Sequence, residues 1–468
     1  MLRSVLLYEL NEVPWSIIDH YVALKPSSTL SGVLNKAATF TTIDEDPVSL
    51  QPWRTWPTFH RSMYTPDHGS RDLGQDPSTF AGEAMWDTAS DAGKRVGLFG
   101  PMQSWPPRHF PGGFHVPDTF ARSPATHPAS LSRFQEFNLS MTQENSFSSD
   151  QNLGARQLVG AGVDMVTKGL TPRSVIDIAS HLVRERRDAR HRGARSMMQV
   201  IPSFDLFWRL HRRTRPDLSI FFTNHVAGMM HRYWGDGIEG YDDAGYTPDK
   251  EVFGTFVVAA MDLFDGHLSR MVAYAENHPS TVVVVASSMG QAAIPYRKVQ
   301  TTYLLSNPQK LLDALGLRGS EGLAMYPRTS FEFATEEEAG TAVPALQSVQ
   351  SELGPMFYDF GVAGRTLSVG INVPDEMTSL PTSLHYLRPS GEVAPAPLDE
   401  LGFEIRDRLG GGNTAYHIPE GVFFAHGEGV ESDATRCEVS VLDAAPSLLR
   451  LLGVEPAPTM QGKPSMFA

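Results

Sequence analysis

The chain is short of thiols, of long apolar runs and of positive charge. It has one cysteine, Cys437, in 468 residues. One thiol excludes an intramolecular disulfide framework and a cysteine-based zinc site, and it fits a reducing compartment. No run approaches the ~20 apolar residues of a membrane-spanning helix. Lys+Arg number 39 against 53 Asp+Glu, a formal net charge of −14. Binding to a phosphate backbone needs a basic face, so nucleic acid is not an expected partner. The N-terminal segment MLRSVLLYELNEVPW lacks a cleavage-site pattern and runs into acids at once, so it reads as a first strand and not a signal peptide. These features together give a cytoplasmic location as the expectation.

With 41% hydrophobic and 20% charged residues, the composition is that of a globular protein. The length suits about three domains, or one large α/β core with insertions. Short apolar, β-branched runs lie at Ser4–Tyr8, Leu218–Phe222 and Thr281–Ala286, with Arg95–Phe99 as a fourth. Continuous apolar runs of this length suit strands buried on both faces, as in a parallel sheet. Helical patterns such as Val252–Glu276 lie between them, so the expected fold is α/β, a doubly wound, mostly parallel sheet. Ligands of such sheets bind beyond the carboxyl ends of strands, where the polar segments LNE, TNH and SSMGQ fall.

Residues 123–215 break the pattern. They begin Ser/Gln/Asn-rich and become helical and basic through Arg184, Arg186, Arg187, Arg190, Arg192 and Arg195. They read as an inserted helical cap whose arginines form a solvated face or an anion-attracting rim. Residues 307–401, rich in Pro, Gly, Ser and Glu, read as a second insertion. The core is then expected in three parts, 1–122, 216–306 and 402–468.

The C-terminal part carries the clearest motifs: Tyr416-His417-Ile418-Pro419-Glu420-Gly421, then His426-Gly427, and later Ser440-Val441-Leu442-Asp443-Ala444-Ala445-Pro446-Ser447-Leu448-Leu449 with Gly453. This run resembles the end of the alkaline phosphatase superfamily, especially its type I phosphodiesterase/nucleotide pyrophosphatase branch. The resemblance implies an alkaline phosphatase-like core and puts His417 at the position of the late metal-ligand histidine. It also implies hydrolysis of phosphate, phosphonate or sulfate esters, with two divalent cations activating a Thr or Ser nucleophile.

The remaining motifs follow the family's order with altered chemistry. Where the family's first strand ends in a metal-binding Asp, this chain has Asn11, with Glu9 and Glu12 as nearby acids. An Asn carbonyl can bind a metal but brings no charge. Glu12 also suits a helix N-terminus as a plain dipole partner. In Gln51–His60, a register set by His68-Gly69 and Trp56 puts the nucleophile at Gln51 or Pro52, neither of which can attack. A register set by Thr-aromatic-Pro selects Thr55, and Thr58 is a third choice; each also reads as a capping threonine. The family's Asp-x-x-x-His becomes Asn224 to His231, with His225 between them. Its Ser-Asp-His-Gly becomes Ser287-Ser288-Met289-Gly290, followed by Gln291. Two hydroxyls do not replace two strong zinc ligands.

Asn11, Glu12, Asn224, His225, His231 and His417 are therefore the candidate metal ligands of an altered or degenerate site, for zinc or manganese if any cation binds. Thr55 and Thr58 are candidate catalytic residues. Gln51, Arg54, His60, Ser287, Ser288 and Gln291 are candidate substrate contacts. Without a metal, the site's positive charge would come from Arg54, Arg61 or Arg232. The expected function is a phosphodiesterase-like hydrolase or transferase acting on a small anionic phosphate or sulfate ester. The alternatives are a metal-independent or non-catalytic ligand-binding member of the superfamily, or an oligomeric scaffold using the cap. A homo-oligomer is among the expected states. The departures from the family are polar and clustered, which favours an enzyme.

Overall fold

The computed structural model describes residues 3–46, 48, 50–145, 167–296, 301–372, 380–407 and 412–467. Its centre is an eight-stranded sheet. Six strands come first in the chain: β1 (Ser4–Leu10), β2 (Ala38–Ile43), β3 (Val96–Phe99), β4 (Phe114–Val116), β5 (Leu218–Thr223) and β6 (Thr281–Ala286). Across the sheet the order is Asp433–Ser440, β2, Glu420–His426, β6, β1, β5, β3, β4. The four apolar runs of the sequence lie side by side in it, and β6, β1, β5, β3 and β4 pair in parallel. Glu420–His426 runs antiparallel to both β6 and β2, so the sheet is mixed on that side.

Strand side chains alternate between faces, and β1 is apolar on both. Leu6, Tyr8 and Leu10 join one buried cluster, while Val5 and Leu7 join another. The first cluster is completed by helices Trp15–Leu24, Val200–Thr214, His225–Gly237 and Phe256–Glu276; the second by Pro52–Arg61, Met85–Asp91 and Ala444–Leu451. The sheet is thus sandwiched between helical layers, which is why its strands read as unbroken apolar runs. A third cluster, from Tyr303 to Phe403, is built on small antiparallel sheets around helix Glu336–Gln347. Within 123–215 the described parts are helical; residues 146–166 of that stretch lie outside the described residues. Among the described residues, no helix is long and apolar enough to cross a membrane.

Asp44, just beyond β2, is a buried acid at 4% exposure. Its Oδ1 accepts the Asp46 amide at 2.9 Å, and its Oδ2 has no hydrogen-bond partner among the described residues. Burial pushes its pKa up to about 7, with the acids Asp46 and Glu45 adding to the rise. The unfolded chain therefore loses this proton first, and stability from this group falls as pH rises from ~4 through 7. Asp44→Asn keeps the Oδ1 acceptor and removes the penalty. It should stabilise the protein at about pH 8 by up to about 4 kcal/mol, a gain that vanishes near pH 4, as read by urea unfolding at both pH values.

Candidate metal centre

The carboxyl ends of β1, β5 and β6 lie side by side, and each delivers polar residues to one edge of the sheet. Asn11 extends the β1–β5 pairing, its amide donating to the Thr223 carbonyl at 3.1 Å. The chain then turns sharply at Glu12, which takes a left-handed backbone conformation with φ 60°. That conformation is uncommon outside glycine and costs about 1–3 kcal/mol, so surrounding contacts must hold it. One such contact is the Val13 amide donating to Ser287 Oγ at 3.1 Å.

Helix His225–Gly237 follows β5 and carries His231. After β6, Gly290–Ala293 pairs antiparallel with Ala415–Ile418, in a register that sets Gln291 opposite His417. Only glycine fits at 290 and 421: a Cβ at the first would strike the Glu420 carbonyl, and at the second the Ser287 carbonyl. These close approaches bring Gln291 and His417 against the end of β1.

The result is a buried carboxylate with two imidazoles. His231 Nε2 lies 2.9 Å from Glu12 Oε2, and His417 Nε2 lies 3.4 Å from the same oxygen. Ligand atoms of Glu12, His231 and His417 all fall within 4.8 Å of one another. Each histidine uses its other nitrogen on a backbone carbonyl: His231 Nδ1 on Ala415 at 3.0 Å, His417 Nδ1 on Leu50 at 2.9 Å. These backbone bonds at Nδ1 orient both rings so that each Nε2 faces Glu12, the usual preparation of a metal-ligating histidine. Burial alone would push the Glu12 carboxyl up, but His417 and His231 together hold it well below the usual carboxylate range. Burial likewise lowers His417, and the charge and hydrogen bond of Glu12 more than reverse this, raising it.

A polar ring supports Glu12. Asn11 Nδ2 donates to Glu12 Oε1 at 2.8 Å and to Asn224 Oδ1 at 2.6 Å. Trp56 Nε1 donates to Asn11 Oδ1 at 2.7 Å. Gln291 Nε2 donates to Glu12 Oε2 and to the Ala227 carbonyl, while among the described residues its buried Oε1 has no hydrogen-bond partner. The donor set, two imidazole nitrogens and one carboxylate oxygen, suits zinc or manganese. Asn224 and Tyr416 are exposed, so the cluster opens to solvent on that side.

The other candidates divide. His225 is turned into the protein: Nδ1 meets Thr223 Oγ1 at 2.6 Å and Nε2 meets the Ala260 carbonyl at 3.0 Å. Both ring nitrogens are occupied, and burial pushes its pKa down to about 4. His60, 1% exposed, bonds Glu9 Oε1 at 2.7 Å and stacks on Trp56, so it lies within the core. Thr58 Oγ1 is held by the Arg54 carbonyl at 3.0 Å and by His68 Nε2 at 3.1 Å. Thr55 Oγ1 instead meets Ser288 Oγ at 2.8 Å, in the turn after β6. Ser287 braces that turn, donating to the Met289 carbonyl at 2.6 Å. Arg54 reaches the Arg71 carbonyl at 2.8 Å. Gln51 opens helix Pro52–Arg61 and donates to Tyr416 Oη at 3.3 Å.

Sequence reasoning did not single out Tyr416, whose ring stacks on His417 at 4.3 Å between centroids. Its only signal was adjacency to His417. The clamp by Trp56 and the carbonyls of Leu50 and Ala415 carry no sequence signal, because they depend on contacts far along the chain.

No family model matches the chain, and no curated protein matches it. Among solved structures, murine ectonucleotide pyrophosphatase/phosphodiesterase 5 is similar over 100% of both chains, with a TM-score of 0.44 and 11% identity. Its human counterpart gives a TM-score of 0.42 and 11% identity over 98% of this chain and 97% of its own. A TAB5 alkaline phosphatase mutant with magnesium bound gives 0.39 and 10%, over 97% of this chain and 100% of its own. Values this low describe chain path alone and carry nothing about the site.

Replacing Trp56 by Phe removes the indole donor to Asn11 and keeps the ring. With the buried Asn11 carbonyl left unpaired, Trp56→Phe should lower the unfolding free energy by about 1–3 kcal/mol in urea denaturation.

Proposed function

We propose that this chain is a metal-dependent hydrolase or transferase acting on a small phosphate- or sulfate-containing ester. One divalent cation, zinc or manganese, would be held by Glu12, His231 and His417. The observation that carries this reading is the pair of Nε2 atoms aimed at one buried carboxylate, each fixed by a backbone bond at Nδ1. A cation there would polarise the ester oxygen and offset the charge that develops on it.

The chain's own groups would do the rest. Asn11 and Gln291 hold Glu12 in position. Helix Pro52–Arg61 begins beside His417, through the His417–Leu50 bond and the Gln51–Tyr416 contact, and its N-terminus favours an anion. Thr55 is the better nucleophile candidate, since among the described residues its hydroxyl meets only another hydroxyl on the strand-end turn, whereas that of Thr58 is tied to Arg54 and His68. Gln51, Arg54 and Asn224 are candidate substrate contacts at the rim, and Ser288, fully buried against Thr55, is a candidate contact only through that hydroxyl pair.

A second reading rests on the same carboxylate. His417 and His231 already compensate the buried charge of Glu12 without a cation, which suits a metal-independent ligand-binding protein.

Turnover of nitrophenyl phosphate mono- and diesters separates the two. The enzyme reading expects activity that a chelator removes and added zinc or manganese restores. It also expects Glu12→Gln and His417→Ala to lower kcat/KM by at least about 100-fold. Activity indifferent to chelation would reject the metal scheme, and no turnover with any divalent cation would favour ligand binding. Thr55→Ala should abolish the same turnover and Thr58→Ala should leave it within about tenfold; the reverse order would move the nucleophile to Thr58.

A further inference from the structure

Helix Pro172–Arg187 in the cap is turned inside out. A helix at a protein surface normally packs its apolar stripe inward and shows its polar face to water. Here the inward face carries Ser174, His181 and Glu185, at 7%, 3% and 7% exposure. Ser174 Oγ donates to Asp205 Oδ2 at 2.5 Å, and Arg195 bonds Glu185 at 2.5 and 3.1 Å. The outward face carries Val175, Ile176, Leu182 and Val183, at 43%, 60%, 49% and 46% exposure. Their spacing of i, i+1, i+7 and i+8, with exposed Ala179 between them, forms one continuous stripe. Such a patch on a helix whose polar face is already satisfied marks an interaction surface.

The charge beside the stripe indicates what covers it. Arg184, Arg186 and Arg187 occupy the last turns of the helix, and Arg192 follows in the adjoining turn; all four are exposed. Among the described residues, no carboxylate pairs with them. Arg173, at the other end, reaches Asp177 at 3.1 Å. A protein of net charge −14 therefore concentrates unpaired cations around one apolar stripe. An isologous contact with a second copy would set these arginines against each other if the helices ran parallel, or against the positive helix N-terminus, with Arg173 and no acid in its first turn, if they ran antiparallel. An anionic bilayer accepts both features, with the stripe in the acyl boundary and the guanidinium groups at the phosphates.

We propose that this helix docks the protein peripherally on anionic membranes, lying in the interface plane with Ile176, Leu182 and Val183 inserted. The inference goes beyond the proposed esterase chemistry and does not depend on it. Because the rest of the chain is acidic, attachment is confined to this face and weakens as salt screens the arginines.

Co-sedimentation of the full chain with phosphatidylcholine vesicles, with and without phosphatidylserine, tests this. The expected result is binding to the phosphatidylserine vesicles at low salt, at least about tenfold above that to phosphatidylcholine alone. Two variants, Ile176→Ser with Leu182→Ser, and Arg184→Gln with Arg186→Gln and Arg187→Gln, should each cut partitioning at least about tenfold. All five residues are exposed, so both variants should melt like the parent by circular dichroism; either one alone suffices for the test. No sedimentation with either vesicle at low salt overturns the proposal, as does equal binding by parent and variants. A dimer seen in analytical ultracentrifugation and dissolved by the Ile176/Leu182 substitutions, without vesicle binding, also overturns it and assigns the face to a second copy.

Discussion

One buried carboxylate, that of Glu12, joins pieces of chain lying more than 200 and 400 residues apart. Removing a carboxylate from water costs several kcal/mol unless it is paired and hydrogen-bonded. Glu12 meets that condition through Asn11, Gln291, His231 and His417. Each partner arrives by a different route: the end of β1, the strand Gly290–Ala293, the helix after β5 and the strand before Glu420–His426. The strained turn at φ 60° is tolerated because these contacts over-determine it. Losing any one partner leaves a buried charge short of compensation, so fold and site are energetically coupled here.

On the proposed reading, this coupling is what would let a carboxylate-poor edge hold a cation. The sequence has Asn11 where a charged ligand was expected, and the structure uses that amide to hold the neighbouring acid, with Trp56 behind it. The charge sits one residue further along, on a turn, where it faces imidazoles from two other segments. Whole-chain acidity is irrelevant to that local balance, since the nearest positive groups are histidines. The arginine-rich surface lies elsewhere, on helix Pro172–Arg187.

Much of the framework was legible because it depends on local pattern. Buried parallel strands announce themselves as apolar runs, and β1, β5 and β6 were found with nearly the observed ends. His231 and His417 are singled out by motif, the first after the apolar run 218–222 and the second before the apolar run that follows Gly421, and the structure sets both beside Glu12. What pattern could not give was direction. His225 and His231 share one helix, yet the first faces the Ala260 carbonyl and the second faces Glu12. Thr55 and Thr58 share another helix and differ in the same way. The cap's arginines were visible in the sequence, but the polarity of their helix was not, because inversion depends on what Asp205 and Arg195 offer from outside it.

The account turns on whether Glu12, His231 and His417 are a ligand set or a self-sufficient ion-pair cluster. Metal content of the purified protein, measured by mass spectrometry beside Glu12→Gln, asks this without needing a substrate. The account predicts about one equivalent of zinc or manganese in the parent and almost none in the variant. A parent free of metal that stays free after incubation with either cation would contradict it.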